Sequence, residues 1–175
     1  RNRNEIKALE AACVDTGLSA PRLLLKCGAL GSSYDFHYNR FLFEHFPEGT
    51  TFPSIEAASL PGDLPRADVA AFSIDDASTT EIDDAFSVTP RAGGGWRIGI
   101  HIAAPALGFA RGSTLDTVAR RRLSTVYMPG NKITMLPDEI VQTFTLGEGR
   151  DCPAVSLYLD ITPGLAIVGE ESRVE

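Results

Sequence analysis

The sequence predicts a mixed α/β (α+β) protein, with a small N-terminal helical module leading into a sheet-containing domain. Three observations predict it. Apolar residues recur every three or four positions near the N-terminus, prolines and glycines crowd the stretch around residues 47–65, and beyond residue 66 the apolar residues alternate with a period of two.

The first helix follows from Ile6, Leu9 and Cys13, with Gly17 standing where a C-cap belongs. Ser19 then offers an N-cap ahead of Pro21; Leu23, Leu24 and Leu25 follow, and Gly28 closes the segment. Ser33 can cap a third helix, in which Tyr34, Tyr38, Phe41, Leu42 and His45 form one stripe before Pro47 and Gly49 end it. Residues 1–50 are therefore expected to be a small bundle or a helix-turn-helix-like module. No basic recognition face stands out, since Arg40 is alone among aromatics. Residues 51–65, with Pro53, Pro61 and Pro65, read as a connector, and residues 66–175 as the second domain.

In that domain strands are expected over 69–74, 85–89 and 96–102, where Trp96, Ile98, Ile100 and Ile102 alternate. The R-A-G-G-G stretch at 91–95 should close the last two into a hairpin. A helix over 114–123 comes next, then a loop through Met128, Pro129 and Gly130 and a short turn over 137–140. Val155, Leu157, Leu159 and Ile161 mark another strand, Pro163-Gly164 turns the chain, and a last strand begins at 166 and runs out as E-E-S-R-V-E. The chain is thus expected to be cut inside a domain, with an edge that the whole protein would cover.

A chain of 175 residues with 43% hydrophobic and 22% charged residues can bury one core or two small ones. No apolar run approaches the roughly 18 residues of a membrane span, and the charged N-terminus is unlike a secretory signal, so a cytoplasmic location is the default expectation. Cys13, Cys27 and Cys152 lie far apart without a C-x-x-C pair, which argues against a zinc site or a disulfide framework and for buried thiols. A net charge of −7 disfavours non-specific coating of nucleic acid. It leaves room for a metal-dependent nuclease, which concentrates carboxylates at its centre and takes affinity from local basic patches or separate domains.

The segment I-D-D-A-S-T-T-E-I-D-D-A, residues 74–85, packs Asp75, Asp76, Glu81, Asp83 and Asp84 into one connection between strands. Carboxylates within about 4–6 Å of one another raise each other's pKa unless a cation neutralises them. Oxygen donors without histidine or cysteine suit Mg²⁺ or Mn²⁺ rather than zinc. An EF-hand is ruled out, because Ala77 and Thr79 occupy the alternate ligand positions and Thr80 the glycine position. A P-loop lacks its glycines and lysine. A solvated acidic turn is the bland alternative; against it, Ile74, Ile82 and Phe86 are expected to be buried, which starts the carboxylates beside a core. A strand beginning at Ile82 would send Asp83 and Asp84 to opposite faces, so convergence on one cation needs a turn or bulge there. Two divalent ions about 3.5–4 Å apart, anchored by carboxylates, can serve an in-line phosphoryl displacement.

These residues resemble the RNB catalytic domain of the ribonuclease II and ribonuclease R family, whose signature is an aspartate, a short polar stretch and D-x-D-D-A. Asp75, Asp83 and Asp84 match in place, and Glu81 stands at the remaining acidic position, longer by a methylene. G-I-H-I-A-A at 99–104 is similar to the family's V-H-I-A-D segment, with Ala104 in place of the aspartate. V-Y-M-P-G-N-K-I-T-M-L-P at 126–137 is similar to its V-Y-x-P-x-x-x-I-P-M-L-P loop. The resemblance covers about residues 66–170, the N-terminal part of such a domain. It implies a Mg²⁺-dependent, 3′-to-5′ hydrolytic exoribonuclease that releases nucleoside 5′-monophosphates from single-stranded RNA. It also implies that Asp75 and Asp84 are metal ligands, that Glu81 is a ligand directly or through water, and that Asp83 is the carboxylate the chemical step depends on most. Tyr127 then matches a tyrosine that packs on a base near the 3′ end; the plain alternative is a core tyrosine with a satisfied hydroxyl.

The remainder of the catalytic domain and the RNA-binding barrels are expected outside this chain, which alone should be inactive or very weak. Arg120, Arg121 and Arg122 are candidates for phosphate contacts, or else solvate the end of their helix. His101 reads as a hydrogen-bonded core histidine, and His37 and His45, with no carboxylate partner suggested, are not expected to bind a metal. Two other readings of the acidic loop stand beside catalysis: a catalytically silent RNA-binding or scaffold module of the same fold, and a structural metal site that pins the loop.

Overall fold

The computed structural model describes residues 3–55 and 59–175; the first two positions and residues 56–58 of the expected connector lie outside the described residues. The chain forms two compact units, the first ending at Thr51 and the second spanning Phe52–Glu175.

In the first unit, helix α1 (Asn4–Thr16) stops where Gly17 adopts a left-handed φ of 66°, a conformation without steric penalty for glycine. Helix α2 (Ala20–Lys26) carries Pro21 in its first turn and buries Leu23. Helix α3 (Ser33–His45) is capped by Ser32 rather than the expected Ser33. Asp35 decides this: its backbone N–H donates to the Ser32 hydroxyl at 3.1 Å, while that hydroxyl donates to the Asp35 carboxylate at 2.9 Å. Tyr34 and Tyr38 stack along the helix, and Phe41 lies against His45. The three cysteines are free; Cys13 and Cys152 are half-buried, but Cys27, expected inside, is exposed at the end of α2.

The second unit is built on an antiparallel sheet in the order β1-β2-β3-β6-β7, which with its helices makes the protein α+β. Strand β1 is only Ala71–Phe72, shorter than the expected 69–74. It pairs with β2 (Asp84–Pro90) at Ala71↔Ser87 and Phe72↔Phe86, and the chain then leaves the ladder to form the acidic connection. Strand β3 (Trp96–Ala103) follows through the glycine hairpin. Gly95 there has φ +80°, and a Cβ would sit 2.0 Å from the Ile161 carbonyl oxygen, so no other residue fits. After a 3₁₀ turn (Pro105–Gly108) comes helix α4 (Thr114–Arg122), capped by the Ser113 hydroxyl. The expected loop around Pro129 is a small hairpin of β4 (Val126–Met128) and β5 (Asn131–Ile133), because Gly130 takes φ 73° and lets a two-residue turn close. The expected turn at 137–140 is the start of helix α5 (Asp138–Phe144), and β6 (Ala154–Ile161) and β7 (Ile167–Val174) complete the sheet.

The apolar core lies at α4 and α5, where Leu115, Leu136, Ile140 and Phe144 are buried and Ile55, Phe109 and Met135 pack on them. Each such burial contributes about 1.5–3 kcal/mol. The sheet is arranged otherwise. Its closed face holds small and polar residues, Ala85, Ser87, Gly99, His101, Ala154, Ser156 and Tyr158, all buried. The alternating apolar residues lie on the opposite face, where Phe86, Ile98, Ile100 and Leu157 are half-buried and Ile102 and Val155 exposed. Among the described residues no helix is long and apolar enough to cross a membrane.

Candidate metal centre

The acidic connection is anchored at one end by residues far away in sequence. Thr145, at the C-terminus of α5 and only 7% exposed, accepts the Ile82 N–H on its hydroxyl oxygen at 2.6 Å and donates back to the Ile82 carbonyl at 3.1 Å. The Leu146 N–H donates to the same carbonyl at 2.8 Å. Arg150 holds this corner from behind, its guanidinium donating to the Gln142 and Thr145 carbonyls at 2.9 and 2.6 Å. One residue on, the Asp83 carbonyl accepts the Ala103 N–H at 2.8 Å. The backbone of Asp83 is therefore fixed on both sides. It lies just before β2, which begins at Asp84, so the two aspartates are not consecutive residues of a regular strand. Ile74, expected to be buried, is 79% exposed, and Ile82 and Phe86 are half-buried. Thr145, not an apolar wall around Ile74, sets the loop.

Asp75, Asp83 and Asp84 are exposed, and Glu81 is half-buried. Burial holds the Asp83 carboxyl above its ordinary value, helped by the negative charges of Glu81, Asp84 and Asp75. Glu81, Asp84 and Asp75 are thus near enough to act on Asp83. Among the described residues, no three acidic, histidine or cysteine side chains converge at metal-ligand spacing. The set is gathered but not closed. It fits a hard divalent ion in donor type and in crowded like charge, with exposed aspartate side chains on a pinned backbone.

Glu81 has a partner that the sequence reading missed. It forms an ion pair with Lys132 on β5. Lys132 stands directly opposite Tyr127 across the β4–β5 hairpin, and the Tyr127 ring is 72% exposed. The Pro129-Gly130 turn, read as a two-residue hairpin, would have placed Lys132 across from Tyr127. Nothing in the sequence links Thr145 to Ile82.

The arginine run divides. Arg120 is exposed and ion-paired with Asp116 one turn earlier at 3.3 Å, and Arg121 is exposed. Arg122 turns inward: its guanidinium lies 3.8 Å from the Phe52 ring centroid and donates to the Thr134 carbonyl at 2.7 Å. Arg122 thus spends one guanidinium nitrogen and its planar face on the fold itself. His101 is a core histidine, 5% exposed, with Nδ1 2.8 Å from the Ser156 hydroxyl and Nε2 2.9 Å from that of Ser87. His37 and His45 pack edgewise and tilted against Phe36 and Phe41.

Residues 66–173 match the family model described as RNB domain. The chain is 40% identical over 108 residues to exoribonuclease 2 of Aeromonas hydrophila, covering 55% of this chain and 16% of that protein. It is 30% identical over 173 residues to both DIS3-like exonuclease 2 and inactive exonuclease DIS3L2 of Arabidopsis thaliana, covering 90% of this chain and 16% of each. The fold is similar to that of Mycoplasma genitalium RNase R, solved in complex with ribose-methylated single-stranded RNA, with a TM-score of 0.57 and 23% identity over 61% of this chain and 17% of that one. The chain thus spans about a sixth of the length of these relatives. With the acidic signature pinned at the start of β2 and most of the chain matched, the protein belongs to the RNB domain family.

Proposed function

We propose that this chain is part of a Mg²⁺-dependent exoribonuclease that hydrolyses single-stranded RNA from the 3′ end and releases nucleoside 5′-monophosphates. The carrying observation is the cluster of Asp75, Glu81, Asp83 and Asp84 beside a pinned backbone, with Asp83 held above its ordinary value by burial and by its acidic neighbours. Relatives named exoribonuclease 2 and DIS3-like exonuclease 2 support the same reading.

Asp75, Asp83 and Asp84 would hold the metal, with Glu81 at their margin; Mn²⁺ has the same donor preference. A divalent ion there supplies Lewis acidity to a phosphoryl oxygen and lowers the pKa of a water molecule. The chain's own part is placement. With its backbone fixed, Asp83 would present its carboxylate at the reacting end. The Tyr127 ring offers a terminal base a stacking surface, an interaction of about 1–3 kcal/mol per base. Arg120 and Arg121 contribute positive charge at the end of α4 for backbone phosphates. The 3′-to-5′ direction is taken from the resemblance to the ribonuclease II and ribonuclease R family; the ion pair of Lys132 and Glu81 links the β4–β5 hairpin to the acidic connection. Single-stranded RNA is the partner this fits, with the rest of the catalytic domain and RNA-binding barrels supplied elsewhere in a cytoplasmic protein.

A catalytically silent RNA-binding module is the second reading, favoured by the open ligand set and by a relative named as inactive. The test is RNA decay by the full-length protein in Mg²⁺, comparing wild type with Asp83→Asn. Release of 5′-monophosphates that falls to background in the folded variant supports the nuclease. RNA binding without decay in the wild type, or decay unchanged in Asp83→Asn, refutes it.

A further inference from the structure

The ion pair between Lys132 and Glu81 joins the two parts of the site that otherwise belong to separate elements. Glu81 lies in the acidic connection before β2; Lys132 lies on β5. Lys132 and Tyr127 are cross-strand partners, so their side chains stand on the same face of the hairpin. Glu81, paired with Lys132, stands two residues before Asp83, whose carbonyl accepts the Ala103 N–H.

We propose that Lys132 is a positioning residue: through its ion pair with Glu81 it fixes the distance between the Tyr127 ring and the aspartate cluster, and so sets where the 3′-terminal base of an RNA rests relative to the reacting phosphodiester. The proposal rests on the nuclease reading above. The longer side chain of Glu81 suits the task. It reaches the hairpin from a loop whose backbone is held at Ile82 by Thr145. The hairpin itself is short, with three residues in each strand, and the ion pair tethers it at the middle residue of β5.

The test uses the full-length protein and three variants, Lys132→Met, Lys132→Arg and Tyr127→Ala. An oligoadenylate with 2-aminopurine at its 3′ end reports stacking by quenching of its fluorescence. It is bound in the presence of a chelator, so that no metal contributes. Lys132→Met is expected to lose most of the quenching and to raise KM about fivefold, as befits one partly exposed ion pair, while the affinity for Mn²⁺ stays within about twofold of wild type. Lys132→Arg is expected to restore both stacking and KM. Tyr127→Ala should abolish quenching. Equal quenching and KM in wild type and Lys132→Met would overturn the proposal, as would a loss of Mn²⁺ affinity without a change in stacking. If Asp83→Asn also retains full activity, the nuclease reading itself has failed; if that variant is inactive and Lys132→Met is unchanged, only the tether has.

Discussion

Replacing Thr145 with valine keeps the shape of the side chain and removes one oxygen. That oxygen accepts the Ile82 N–H at 2.6 Å, whereas the Ile82 carbonyl, which loses the 3.1 Å bond from Thr145, still receives the Leu146 N–H at 2.8 Å. The net loss is one partner for a half-buried backbone donor. Leaving such a donor unpaired costs about 1–3 kcal/mol, and a value near 1–2 is expected here because Ile82 retains some access to water. For a unit of this size that lowers the unfolding midpoint by about 4–8 °C. Urea denaturation should show the loss at unchanged slope, and amide exchange at Ile82 should accelerate by a similar factor. Cation affinity should weaken as well, since the backbone next to Asp83 is released. Thr145→Ser, which keeps the hydroxyl, should retain a protected Ile82 amide. A Thr145→Val protein with wild-type stability and a still protected Ile82 amide would refute the view that this hydroxyl sets the acidic connection.

Other outcomes follow from the same structure. The folded state raises Asp83 above its ordinary value of 3.8, so it favours the protonated form; the stability this group contributes is present at low pH and is lost as pH rises through the raised value. Asp83→Asn should therefore be more stable than wild type at neutral pH in chelator, with the gap closing in acid, as thermal melts across pH would show. Burial lowers the His101 imidazole below 6.5, so its NMR titration midpoint should fall below that value, and stability should drop as pH falls from about 6.5 toward that midpoint. Gly99→Ala would place a Cβ 2.4 Å from the Ser87 hydroxyl oxygen and 2.6 Å from His101 Nε2; the forced shift should cost about 1–3 kcal/mol in denaturant unfolding. Arg122→Ala, which strips the guanidinium from the Phe52 ring and the Thr134 carbonyl, should lower stability by a similar 1–3 kcal/mol, more than it lowers RNA affinity in a binding assay.

The parts of this fold legible in the sequence are those written in local signals. Gly17 ended a helix, and the R-A-G-G-G stretch closed a hairpin, because a positive φ leaves a chemical trace in the residue chosen. The strands at β2, β3 and β6 were visible through alternation, but alternation names two faces without saying which is closed. Here the closed face is Ala85, Ser87, Gly99, His101 and Ser156, whose burial depends on hydrogen bonds between a histidine and two serines rather than on hydropathy. The acidic residues stood out by charge density, and the comparison with the family gave them a chemistry. Their supports did not stand out. Thr145 meets Ile82 across 63 positions, and Lys132 meets Glu81 across 51, so both partnerships are products of the tertiary fold. Arg122 looked like its two neighbours and differs only because the helix turns it inward.

The most direct test of the proposed cation site is a crystal of the full-length protein soaked in Mn²⁺ and measured for anomalous scattering. A peak about 2.0–2.3 Å from carboxylate oxygens of Asp75, Asp83 and Asp84 is the expected result. Mn²⁺ at concentrations that support RNA decay, with no peak among these aspartates, would contradict the account.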